Sequence, residues 1–108
     1  MTKLSLHPGV CGFTALISAD SEDGMDVTVT VESGCPAVQG MMEALYGSEF
    51  DAFEVCMTKP GTNPFYEYAG EHFPAHGGCP VCAAIAKCVE AECGLALKKD
   101  VSMQFVED

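Results

Sequence analysis

The stretch "CGFTALISADSEDGMDVTVTVES", Cys11 to Ser33, holds two strand-like runs around an acidic turn. In the second run Val27, Val29 and Val31 alternate with Thr28, Thr30 and Glu32, the period of a strand with one buried face. Between the runs lies Asp23-Gly24, a dipeptide that tolerates the left-handed backbone of tight hairpin turns. The chain therefore predicts a hairpin of Cys11–Asp20 with Asp26–Ser33. With the turn centred near Asp23, facing residues have numbers summing to about 45 to 47. That register sets Cys11 beside Cys35 at the open end. The acidic turn does not fit a calcium loop, because Gly24 at the sixth position places Ala19 and Ser21 where carboxylates are needed.

Outward from the hairpin, "PAVQGMMEALYG" carries apolar Val38, Met41, Met42 and Leu45 between Pro36 and Gly47, the proline-first, glycine-last asymmetry of a helix. Ser48–Thr58 reads as a short helix running into an extended piece. Residues 59–78 hold Pro60, Pro64 and Pro74 with several glycines and aromatics, and read as a long loop, either functional or folded back over the domain as a lid. "VCAAIAKCVEAECG" gives a second helix with Val81, Ile85, Cys88 and Val89 on one face, stopped at Gly94. "DVSMQFVED" alternates Val101, Met103 and Phe105 and predicts a third strand. The sum is a single domain over residues 1–108: a two-layer α+β fold with a small antiparallel or mixed sheet of about three strands and two main helices on one face.

The net charge of −11 repels phosphate backbones and anionic lipid, which argues against nucleic-acid and membrane partners. No stretch approaches a transmembrane length and the N-terminus does not read as a secretion signal, so a cytoplasmic protein with reduced thiols is expected. Seven cysteines, an odd number, also argue against a disulfide framework.

The cysteines carry the functional signal. Gly-Cys-Pro occurs twice, in "SGCPAV" (Ser33–Val38) and "GGCPVC" (Gly77–Cys82). With each proline at the first helical position, Cys35 and Cys79 are expected at helix N-caps, where free N–H groups and the helix dipole favour a thiolate. Cys82 lies one turn further on. Three functions follow. Cys11, Cys35, Cys79 and Cys82 form a four-cysteine set for zinc or an iron–sulfur cluster, with Cys56 or His76 as substitutes, provided both helices start at the same end of the sheet. Alternatively, Cys79-Pro-Val-Cys82 is a redox dithiol. The third is an acidic interaction module or homodimer, joined through a sheet edge or the loop aromatics, with no metal. No pattern of a hydrolase or nucleotide enzyme stands out.

Cys79-Pro-Val-Cys82 resembles the Cys-Pro-x-Cys of glutaredoxin-like proteins over those four residues, without the preceding strand of that family. Val27–Glu32, Gly34-Cys35, Cys56 and Gly78-Cys79-Pro80 together resemble a TSCPD-type domain, from which Val81 departs where that pattern has Asp. With "HPGVCGF" at the front and "LALKKDVSM" at the back, the whole chain is similar to a small family of uncharacterised single-domain proteins. These resemblances imply a shared cysteine site and no particular reaction.

Overall fold

The hairpin forms, but it starts later than the alternation suggests and belongs to a larger sheet. The computed structural model describes all residues, 1–108. Its elements are β1 (Thr2–Leu6), β2 (Ala15–Asp20), β3 (Asp26–Ser33), α1 (Pro36–Ala44), β4 (Phe50–Asp51), α2 (Ala52–Cys56), α3 (Pro64–His72) and α4 (Val81–Glu92). The four strands lie in the order β1-β2-β3-β4, antiparallel throughout. The α+β class and the helix-covered sheet are as read from the sequence; the strand number is higher.

The turn between β2 and β3 is built by its own side chains. Asp23 Oδ1 accepts from the N–H groups of Met25 and Asp26, each at 2.9 Å, while Ser21 Oγ accepts from Gly24 N at 2.9 Å. Gly24 has φ +77°, which a side chain would strain. These bonds make the turn wider than a two-residue one, so Ala15 pairs with Ser33 and Leu16 with Glu32. Facing numbers sum higher than the tight turn implied, and the pairing stops before either Cys11 or Cys35. Cys11 lies exposed in the β1–β2 loop, where Gly12 N–H donates to Gly9 O.

One face of the sheet is buried: Ala15, Ile17, Ala19, Val27 and Val31 join the core, and Leu4 and Leu6 of β1 pack against it. The opposite face presents Lys3, Ser5, Asp20, Thr28 and Glu32. On the covered face α4 lies over β1 and β2, α1 lies over β3, and α3 packs against both helices. The far end of α4 is fastened to the start of β1. Glu92 accepts from Thr2 Oγ1 at 2.7 Å and from Ser21 N at 2.9 Å, and Cys88 Sγ donates to Thr2 O at 3.3 Å. With its C-terminus held at that end, α4 points its first turn toward the sheet end from which α1 leaves.

Three sequence expectations are corrected here. The stretch 59–78 is not one long loop, since Asn63 caps α3 by accepting from Phe65 N and Tyr66 N, with Pro64 in the first turn. Ser48–Thr58 has its extended piece before its helix: β4 pairs with the start of β3, and Asp51 then caps α2. Residues 95–108 form no strand within the chain, although Val101, Met103 and Phe105 alternate as a strand would. Phe65 of α3 is fully buried and packs its ring, tilted by 50°, against Phe50 at a ring-centroid distance of 4.8 Å. Burying such a ring contributes about 1.5–3 kcal/mol, which gives the short β4 a reason to sit where it does.

Candidate functional site

The second Gly-Cys-Pro opens onto a cleft of about 310 Å³ between the end of α3, residues 74–77 and the first turn of α4. Tyr66, Phe73, His76, Cys79 and Cys82 are among its walls. Two sequence features create it. Phe73 N–H donates to Ala69 O, and the extended backbone of Phe73 before Pro74 ends α3 there. Cys79 N–H donates to His76 O at 3.3 Å, turning the chain into α4.

Cys79 is not the N-cap of α4. That position is Pro80, whose carbonyl accepts from Ala84 N at 2.9 Å, so Cys79 stands one residue outside the helix and makes no cap hydrogen bond. Proline-first geometry holds only at the first copy, where Cys35 is the cap of α1 and Pro36 begins it. Even there the sulfur caps nothing; Ser33 Oγ accepts from Cys35 N instead, at 3.2 Å.

The two thiols of the cleft have unequal surroundings. Cys82, inside α4, is only 4 % exposed, whereas Cys79 is half-buried. Burial pushes the Cys82 thiol up to about 11, and the neighbouring Cys79 adds to the rise. Burial and Cys82 likewise raise the Tyr66 hydroxyl. Mutual influence of this kind is the mark of groups that share one small volume. A buried, protonated thiol thus lies beside a more accessible one.

The four-cysteine set is not assembled. No group of three or more His, Cys, Asp or Glu side chains is placed to hold a metal ion. Cys11 lies in an exposed loop beyond the strand pairing, and Cys35 is the N-cap residue of α1, which packs on β3 and α3, whereas α4 lies over β1 and β2. Tyr68 of α3 brings its hydroxyl against Gly40 of α1, 3.4 Å from where a Cβ would lie. Cys79 and Cys82 remain as a pair.

The other candidates are elsewhere. Cys56 donates to Ala86 O at 3.4 Å and burial pushes its thiol up to about 12, with Glu90 and then Cys93 adding to it. Cys88 is buried and Cys93 raised mainly by burial, as expected of small apolar packing groups. All seven cysteines are free thiols. His72 leans on Tyr68, ring centroids 4.3 Å apart, and is not part of the cleft wall, whereas His76 is. Tyr66 is the site residue that sequence reading undervalued, since its position depends on α3; the Asn63-Pro64 cap was the signal that could have revealed it.

A family model matches residues 2–105, and the chain belongs to that family, DUF6951, a family of unknown function. This agrees with the similarity to uncharacterised single-domain proteins; the match does not show the resemblance to TSCPD-type domains. No curated protein and no solved structure matches the chain. No helix is long and apolar enough to cross a membrane.

Proposed function

We propose that the chain is a thiol–disulfide exchange protein whose working pair is Cys79 and Cys82. The observation that carries this reading is their placement on one cleft with unequal burial. Cys79, the accessible thiol, loses its proton and attacks a sulfur of an incoming disulfide, forming a mixed disulfide and releasing one thiolate. Cys82 then gives up its proton and attacks the Cys79 sulfur. That step frees the second thiolate and leaves a Cys79–Cys82 disulfide, so two thiols are oxidised as one disulfide is reduced, and the two protons end on the released sulfurs. Tyr66 and His76 stand beside the pair, and Phe73 and Ala69 offer apolar surface to the groups flanking the incoming disulfide.

Zinc or an iron–sulfur cluster on Cys11, Cys35, Cys79 and Cys82 draws no support from a geometry in which no three ligand-type side chains converge. One experiment separates the readings. The protein, purified anaerobically, is assayed for metal and equilibrated in redox buffers before its thiols are trapped and mapped. Exchange predicts a reversible Cys79–Cys82 couple without stoichiometric metal, and Cys82→Ser should stop at the mixed disulfide on Cys79. Zinc or iron near one per chain, lost in the Cys79 and Cys82 variants, would overturn exchange in favour of metal binding.

A further inference from the structure

Residues 97–108 carry the alternation of a strand but pair with no strand of their own chain. Leu95 N and Ala96 N both donate to Glu90 O, with Gly94 at φ +72°, so the chain is fixed to the end of α4 as far as Ala96. Beyond it Val101, Met103 and Phe105 are 60, 83 and 108 % exposed. They recur at every second residue, so in an extended chain they line one side, with Ser102 and Gln104 on the other. The sheet meanwhile ends in β1, "TKLSL", an edge strand with no proline and only Lys3 as a charge against further pairing. Its inward Leu4 and Leu6 are incompletely covered.

We infer that Val101–Val106 adds as a fifth strand to the β1 edge of a second copy of this chain, antiparallel, with the exchange made reciprocally. The pairing sets Val101 against Leu6, Met103 against Leu4 and Phe105 against Thr2, extending the buried face, while Gln104 faces Lys3 on the polar one. Reach excludes the same antiparallel pairing within one chain. Ala96 is held near Thr2 through α4 and Glu92, at the wrong end of β1. Travelling to Leu6 takes about 13 Å, and the links from Ala96 to Val101 span at most roughly 17 Å fully extended, leaving only about 4 Å for both the step to the sheet edge and the reversal. A second copy supplies both halves of the contact and closes a two-fold pair. Charge points the same way. In a chain of net −11, Val101–Val106 carries no charge, so two copies can meet there without bringing like charges together.

The test is the solution mass of the full chain, by sedimentation or light scattering, with hydrogen exchange on residues 101–105. The expected result is twice the chain mass, with slowed exchange in 101–105 and along β1. A Met103→Asp, Phe105→Asp variant should then have half that mass, fast exchange in both strands and an unchanged helix signal, because these side chains touch nothing in their own fold. The chain mass at all concentrations up to the millimolar range would overturn the inference. So would a dimer that survives the double substitution, or slowed exchange of the tail in a species of single-chain mass.

Discussion

The two segments share the tripeptide Gly-Cys-Pro and differ in what the fold makes of it. Before Cys35 the chain arrives straight from β3, so cysteine becomes the cap and Pro36 opens α1. Before Cys79 it arrives from the turn at His76, which places Pro80 at the cap and leaves Cys79 outside the helix, facing the cleft. Three residues further on, Val38 is 3 % exposed and Cys82 is 4 % exposed. At the same spacing from the cysteine, a buried first-turn position holds a hydrocarbon in one helix and a thiol in the other. The approach of the chain and one side chain, not the shared tripeptide, distinguish a helix start from a dithiol.

Removing the wall that only the second segment has should produce the largest effect. Asn63 is buried, caps α3 and donates to Val55 O at 3.0 Å. Asn63→Ala should cost about 3 kcal/mol in denaturant unfolding, and should speed labelling of Cys82 far more than that of Cys35. Next is the far end of α4, an anchor that α1 lacks. Glu92→Ala should cost about 2 kcal/mol through its two charge-assisted hydrogen bonds. The hydrogen bond from Thr2, then that from Ser21 N, holds the Glu92 carboxyl below its ordinary value of 4.5. A depressed folded-state pKa stabilises above the ordinary value and ceases to do so as the pH falls through the folded one. Wild type should therefore lose its advantage over Glu92→Ala in melts taken below that value.

Smaller effects sharpen the contrast. Cys82→Val copies Val38 into the second segment and should change stability by less than about 1.5 kcal/mol while abolishing the Cys79–Cys82 couple. In the wild type, closure of the disulfide from the Cys79 mixed disulfide should quicken about tenfold per pH unit between neutrality and pH 9, because the Cys82 thiol must lose its proton and ionises at about 11. Stopped-flow trapping reads this directly. Gly40→Ala should stabilise by at most about 1 kcal/mol, since helix propensity improves and the new methyl meets the Tyr68 hydroxyl at 3.4 Å, an ordinary contact.

The hairpin, α1 and α4 were legible in the sequence because their periodicity and turn residues agree with their tertiary surroundings. β1 escaped although Thr2, Leu4 and Leu6 alternate, since five residues before His7-Pro8-Gly9 give too short a window to separate a strand from a terminal segment. α3 was hidden by its punctuation: Pro60, Gly61, Pro64 and Pro74 read as a loop, yet Pro64 opens the helix and Pro74 follows its end. Missing α3 hid a wall of the cleft, to which it contributes Tyr66, Ala69 and Gly70. Cys79 and Cys82 were legible as a pair from their spacing alone, whereas their unequal burial depends on contacts from α3. The tail's alternation reads as that of a strand, yet residues 97–108 pair with no strand of the chain, because period-two patterning is not enough without a free edge within reach.

The first segment starts a helix, and the second is proposed to be a reactive pair. Reduced native protein is given a limiting amount of oxidised glutathione, quenched at intervals with an alkylating reagent and mapped by peptide mass. The first stable product should be a Cys79–Cys82 disulfide, preceded by a mixed disulfide on Cys79, while Cys35, Cys56 and Cys88 remain alkylatable only after unfolding or slowly. Oxidation of Cys35 as fast as Cys79, with Cys79 and Cys82 never linked, would contradict the account.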